Sequence, residues 1–167
     1  MTDAAQTEAD SADAGVPQQA MLDHLRQLLG SALIDGRVTK DQIVIKVPVA
    51  TVADTLASLR DDNYAAFNQL SDLTAVDYPE RPDRFEMVYQ LLSMKNNMRM
   101  RVLAAVGEGQ AVPSMTSVYS AANWAEREAW DMFGIFFAGH PDLRRLLTDY
   151  GFEAVSYTHL RAHETQD

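Results

Sequence analysis

The stretch 84–106, "RFEMVYQLLSMKNNMRMRVLAAV", decides the fold. Its first half alternates, with Phe85, Met87 and Tyr89 on one side and Glu86, Val88 and Gln90 on the other. A period of two is the side-chain period of a strand. The second half repeats it, with Met98, Met100 and Val102 opposed to Arg99 and Arg101. Between the halves, Asn96-Asn97 marks a hairpin, because Asn tolerates the left-handed backbone of a tight turn.

Working outward, "FNQLSDLTAVDY" at 67–78 predicts a strand, and "PERPDR" at 79–84 is a turn rich in Pro and charge. Further upstream, "DQIVIKVPVA" at 41–50 sets Ile43, Ile45 and Val47 against Gln42, Val44 and Lys46, until Pro48 stops the ladder. Three helices complete the set. Pro17 suits a first helical turn, Met21, Leu22, Leu25, Leu28 and Leu29 come next at helical spacing, and Gly30 or Gly36 ends the run. "VATVADTLASLRDD" at 49–62 puts Val52, Leu56 and Leu59 on one side. "GEGQAVPS" at 107–114 reads as a loop. A last helix is expected from about Ala121 to Phe133, with Ser120 as its N-cap and Gly134 as its terminator. The order implies an α+β fold, an antiparallel sheet with helices packed on one side.

The chain has 167 residues, which favours one domain. Its net charge is −10. Asp3, Glu8, Asp10 and Asp13 fall in the first twenty residues with no Lys or Arg, so 1–16 read as a disordered acidic tail. Nonspecific nucleic-acid binding needs Lys and Arg to neutralise phosphates, so an acidic chain argues against a nucleic-acid partner. There is no Cys, which removes disulfides, thiolate metal sites and iron–sulfur ligation. No stretch approaches the roughly 20 apolar residues of a membrane helix, and the N-terminus lacks the basic start and apolar run of a signal peptide. The expectation is a soluble chain whose membrane association comes only through a partner.

The densest chemistry lies at 124–152, "WAEREAWDMFGIFFAGHPDLRRLLTDYGF". On a helix, Glu126 and Glu128 point to different sides and form no paired-carboxylate site, whereas Glu128 and Asp131 share a side. Arg127 and Asp131 are four apart, a pairing worth a few tenths of a kcal/mol, ~0.3, if exposed. Trp124 lies one turn before Glu128, and Glu126 one turn before Trp130, so aromatic and charged groups are interleaved around the whole cylinder. An ordinary surface helix separates them. One reading is a core Trp pair beside a solvated charge run. The sharper one is an assembly surface, since Trp, Tyr and Arg are enriched at interface hot spots. Beyond the helix, Ile135, Phe136 and Phe137 form an apolar run, and Gly139-His140-Pro141 forces a turn. Asp142 caps the next segment, Leu143, Leu146 and Leu147 give it an apolar side, and Arg144 and Arg145 offer planar forks for carboxylates or carbonyls. His140 with Glu128 or Asp131 would be the only candidate metal or acid–base group. A His before Pro is more commonly a turn residue, and no zinc-protease spacing, Gly-rich phosphate loop or nucleophile elbow is present. No catalytic, cofactor-binding or metal residue is therefore expected on this chain.

The segment "ANWAEREAWDMFGIFFAGHPDLRRLLTDYGF" closely resembles the signature of the C subunit of proton-pumping NADH:quinone oxidoreductase, respiratory complex I, the family of the mitochondrial 30-kDa subunit. The likeness extends upstream through "LSDLTAVDYPERPDRFEMVYQLLS" and covers roughly residues 20–154, so 17–154 is expected to be the family's domain. The resemblance implies a subunit of the peripheral arm on the cytoplasmic or matrix side of the membrane, with no redox centre of its own. NADH, FMN, iron–sulfur clusters and quinone would belong to partner subunits. Those partners would be the D subunit, which holds the quinone site, and the cluster-bearing B and I subunits. The implied interface set is Trp124, Glu126, Arg127, Glu128, Asp131, Phe133, Gly134, His140, Pro141, Asp142, Arg144, Arg145 and Asp149. Related hydrogenase-type assemblies carry the same domain, and an independent small enzyme built on His140 is the remaining reading. After about Glu153 the chain leaves the family pattern, which continues into His-Pro-Leu-Arg-Lys-Asp-Phe-Pro. Residues 155–167 are therefore expected to be non-native, and His159 and His163 are poor candidates for any role.

Overall fold

The computed structural model of the chain describes residues 16–143. Helix α1, Val16–Leu29, opens it. Met21, Leu22 and Leu25 are buried, while Leu28 lies 38% exposed at the helix margin. Gly30, at φ +52°, ends the helix, a conformation that costs a residue with a Cβ. Strands β1, Asp35–Thr39, and β2, Gln42–Lys46, come next as an antiparallel hairpin. Helix α2, Val52–Asp61, places Val52, Leu56 and Leu59 in the core as their spacing predicts. Strands β3, Gln69–Asp77, β4, Phe85–Ser93, and β5, Met98–Val106, form the expected meander. The short strand β6, Val112–Pro113, then helix α3, Ala122–Phe133, and strand β7, Phe137–Ala138, complete the described chain.

The main sheet has the order β1-β2-β5-β4-β3. Pairs β3–β4 and β4–β5 are antiparallel, and Phe85 faces Val106 while Ser93 faces Met98. The β2–β5 pair is parallel, with Ile43 opposite Met100 and Ile45 opposite Val102. The α+β class therefore holds, but the sheet is mixed rather than purely antiparallel. Alternation in a sequence shows which face is buried; it does not show which neighbour a strand takes. Asn97 has φ +48° in the β4–β5 turn, as a tight hairpin needs. Strand β1 escapes a reading of the sequence because its turn, Lys40-Asp41, has positive φ at both positions without the usual Asn or Gly.

The inward face of the sheet carries Ile43, Ile45, Met87, Tyr89, Leu91, Met100 and Val102, all at most 1% exposed. The three helices contribute to the same hydrophobic cluster. Val44 and Val88, on the outward face, are 7% exposed yet stand apart from that cluster, so the helices all cover one side. Each fully buried large apolar side chain contributes about 1.5–3 kcal/mol, which makes this face the main source of stability. At Gly36 an added Cβ would meet Leu22 Cδ1 at 2.8 Å, and this close approach lets α1 lie against β1. Arg84 grips Asp77 with two hydrogen bonds of 2.7 and 2.8 Å and closes the 78–83 turn.

Candidate functional site

Helix α3 separates its residues more sharply than its sequence suggests. Ala122, Glu126, Ala129 and Trp130 form a buried stripe at helical spacing, with Phe133 packed at its end. Asp131 is 5% exposed and Glu128 is exposed, so these two do not share an environment. On the outward side Trp124 is 59% exposed and Met132 45% exposed, and the Arg127 guanidinium lies 5.4 Å from the Trp124 ring centre. The aromatic and charged residues are thus sorted into a core face and an outer face. The two Trp do not form a core pair, since only Trp130 is buried, with its ring edge-on to Phe136 at 6.1 Å. Phe133 makes the same kind of contact with Phe85 on β4, at 6.3 Å.

The unusual member of the buried stripe is Glu126, whose side chain is fully buried. A carboxyl group there must be met by donors. The Met115 N–H donates to Oε1 at 2.5 Å, and the Ser114 hydroxyl donates to Oε2 at 2.7 Å. Burial pushes the Glu126 carboxyl above the usual range, against the Met115 N–H, the Ser114 hydroxyl and His140, which pull it down. Burial also raises the Tyr89 hydroxyl, reinforced by the charge of Glu126, and that hydroxyl has no hydrogen-bond partner among the described residues.

His140 belongs to this cluster and not to Glu128 or Asp131. Its Nε2 lies 3.9 Å from Glu126 Oε2, and both side chains are fully buried. That distance is beyond a hydrogen bond. The ring is instead satisfied by backbone: the Asp142 N–H donates to Nδ1 at 3.0 Å, and Nε2 lies 3.0 Å from the Asn123 carbonyl. Accepting at Nδ1 puts the proton on Nε2, where it donates to Asn123. Both ring nitrogens are occupied in holding the turn to the helix, so the His140–Glu128 and His140–Asp131 acid–base readings are withdrawn.

Backbone geometry locks the rest. The N-cap is Ala121, without a side-chain cap, so Ser120 does not take the role its residue type suggested. Gly134 does terminate the helix, in the left-handed region at φ +71°, and its N–H bonds the Trp130 carbonyl. The apolar run then returns to the 107–114 loop. Val112 N–H donates to the Phe136 carbonyl and Ser114 N–H to the Ala138 carbonyl, both at 2.9 Å, forming the parallel β6–β7 pair. Sequence reasoning missed Ser114 and Met115, the donors to Glu126, because nothing local marks them. The available signal was the carboxylate at a core position of the helical stripe. Pro141 and Asp142 are exposed, while Arg144, Arg145 and Asp149 lie outside the described residues. Among the described residues no group of three or more His, Asp or Glu is placed to hold a metal, and no helix is long and apolar enough to cross a membrane.

Comparison with known proteins gives this arrangement a family. The family described as respiratory-chain NADH dehydrogenase, 30 Kd subunit, matches residues 45–163. The NADH-quinone oxidoreductase C subunit of Rhodospirillum rubrum is 54% identical over 125 residues, covering 75% of this chain and 59% of that protein. The first C subunit of Rhizobium meliloti is 49% identical over 130 residues, covering 78% and 65%. The C subunit of Rhodobacter capsulatus is 46% identical over 157 residues, covering 89% and 79%. The chain thus spans about three fifths of the length of the first two of these relatives. Among solved structures, a chain of the membrane-bound sulfane sulfur reductase, an archaeal respiratory membrane complex, matches with a TM-score of 0.68 at 21% identity, over 87% of this chain and 91% of that one. That likeness speaks for the fold. With the family match and relatives near half identity agreeing, the chain belongs to the 30 Kd subunit family of respiratory-chain NADH dehydrogenase.

Proposed function

We propose that the chain is a structural and assembly subunit of the peripheral arm of proton-pumping NADH:quinone oxidoreductase, supporting electron transfer from NADH to quinone without a redox centre or active site of its own. The carrying observation is the contrast across helix α3. Glu126 and Trp130 fix its inner side to the fold, while Trp124, at 59% exposure, and Met132, at 45%, stand on the outer side. A large exposed aromatic beside an Arg fits the anchor of a protein interface. Under this reading the outer side of α3 and the segment after Gly134 dock on the D subunit, which holds the quinone site, near the cluster-bearing B and I subunits. Arg144, Arg145 and Asp149, outside the described residues, belong to the same proposed interface set. NADH, FMN, iron–sulfur clusters and quinone stay in the partners, and the chain meets the membrane only through the complex, on the cytoplasmic side of the inner membrane. Residues 17–154 form the family domain, preceded by an acidic tail and followed by a non-native stretch at 155–167.

The test is affinity capture from a bacterial membrane extract, with the full chain and with a version whose residues 155–167 are replaced by the family's continuation. Partners are identified by mass spectrometry, and NADH-dependent quinone reduction is assayed in the eluate. Recovery of the quinone-site and cluster-bearing subunits with that activity is the expected result. Recovery of both versions alone, folded and monomeric, sinks the reading. A second reading is a subunit of a hydrogenase-type membrane complex, and a hydrogenase large subunit in the eluate would select it.

A further inference from the structure

The side of the main sheet turned away from the helices carries a charge pattern opposite to that of the whole chain. The chain has 24 Asp and Glu against 14 Lys and Arg. On strands β1, β2 and β5, register puts Arg37, Lys46, Arg99 and Arg101 on this outward face against a single carboxylate, Asp35. Asp35 meets Arg37 only at 3.7 Å, with both side chains about 60% exposed, a pairing of little strength. Glu86, on the neighbouring β4, is met by Arg81 at 3.6 Å. Lys46, Arg99 and Arg101 have no ion pair with any described residue. Arg101 Nε is buried and meets no acceptor among the described residues, so a donor in the middle of the face is left unsatisfied.

The floor between these cations is apolar. Val88 and Leu103 are cross-strand partners and Val44, opposite Arg101, lies on the same face; a cleft of about 340 Å³ opens over Val44 and Leu103, walled by Asp35, Arg37, Lys46, Tyr78, Arg81 and Glu86. A one-sided antiparallel sheet normally turns polar residues to water. An apolar floor with Lys46 at its rim and Arg99 and Arg101 beside it, none of the three in an ion pair with a described residue, suits a ligand that is both acidic and partly apolar.

We propose that this outward face, centred on Arg99 and Arg101 of β5, is a docking surface for an extended acidic polypeptide segment of a partner protein. Arg99 and Arg101 are two residues apart on one strand, about 7 Å along it. An extended segment running beside them presents every second side chain to the sheet with that same spacing, so carboxylates at alternate positions match both guanidinium groups. Apolar side chains of the segment then reach Val44 and Leu103. A nucleic acid fits less well, because the chain as a whole repels polyanions and the one aromatic lining the cleft, Tyr78, already has the Arg81 guanidinium over its ring at 3.6 Å. None of these steps uses the family membership, so the proposal stands apart from the assembly reading of α3.

The test is fluorescence anisotropy on the full chain with a labelled peptide of alternating glutamate and valine. A glutamine–valine peptide, an oligothymidine and phosphatidylglycerol vesicles are run alongside. Expected is salt-sensitive binding of the glutamate–valine peptide, weakened about tenfold or more in R99Q/R101Q, with an unchanged circular-dichroism melt. Lys46→Glu is expected to weaken it in the same direction and serves if the double variant fails to fold. Glutamate–valine binding no tighter than glutamine–valine, or unchanged in folded variants, overturns the proposal. Tighter binding of oligothymidine or vesicles reassigns the face to a nucleic acid or a membrane. Binding seen only in a chain starting at Val16 names the chain's own acidic tail as occupant and removes the partner.

Discussion

Helices α2 and α3 solve the same packing problem in opposite ways. In α2, Val52, Leu56 and Leu59 point inward at 0% exposure, and Asp54 and Ser58 face out. In α3 a fully buried carboxyl sits inside, at Glu126, while an indole and a thioether stand outside, at Trp124 and Met132. The first helix is complete within the chain. The second holds a carboxyl in a low-dielectric core by means of two close donors and leaves the Trp124 indole and the Met132 thioether largely exposed. Helix α3 thus departs from the ordinary pattern on both sides, tied to its own fold through a face that holds a carboxyl and presenting large apolar side chains on the other.

The largest effect tests the ordinary helix. Leu56→Ala removes a fully buried side chain and is expected to lower stability by about 2–5 kcal/mol in urea denaturation. A loss under ~1 kcal/mol would mean that α2 packs far more loosely than its burial indicates. Next, Glu126→Ala strands the Met115 N–H and leaves the Ser114 hydroxyl only its contact with Thr116 Oγ1 at 2.9 Å, an expected cost of about 1–3 kcal/mol. If that variant matched the parent, Glu126 would not be the tie between α3 and the 112–116 segment.

The same residue carries a pH signature. Because its folded-state carboxyl is raised chiefly by burial, the fold prefers the protonated form. That contribution is fully present below the ordinary Glu pKa of about 4.3 and is lost as pH rises through the raised folded value. Urea midpoints of the parent should therefore fall relative to Glu126→Gln as pH rises from about 4 through the raised folded value. A constant difference across that range would remove the buried titration. Gly134→Ala, at φ +71°, should cost about 1 kcal/mol through strain at the helix end, read as a lower melting temperature. Smallest in the isolated chain is Trp124→Ala, within about 0.5 kcal/mol of the parent. In capture of partner subunits the same change should weaken retention about tenfold or more. Unaltered capture would leave the exposed indole without a role.

Much of the sheet was legible in advance because β4 and β5 alternate cleanly, and one face had to be Met87, Tyr89, Met100 and Val102. Strand β1 was not legible, since Lys40-Asp41 carries no turn signature and only Val38 on that strand is a large apolar residue. The site was half legible. The spacing of Glu126, Trp130 and Gly134 on one helix could be read directly. That Trp124 faces out while Trp130 faces in could not, because both lie in an evenly mixed run. His140 was paired with the wrong acids for the same reason: its true contacts, the Asn123 carbonyl and the Asp142 N–H, are backbone groups, which every residue supplies alike.

What the amino-acid sequence determined by itself was local: which residues alternate, where Gly134 and the Asn96-Asn97 turn break the chain, the absence of Cys, and a signature long enough to reveal the family. Those features depend on neighbours within a few positions, or on composition alone. Only the tertiary structure decided that β2 runs parallel to β5, that Ser114 and Met115 close over Glu126, and that four cations gather on the side of the sheet opposite the described helices. Each of these joins residues far apart in the chain, and their meeting is set by how the whole apolar core closes rather than by any one segment.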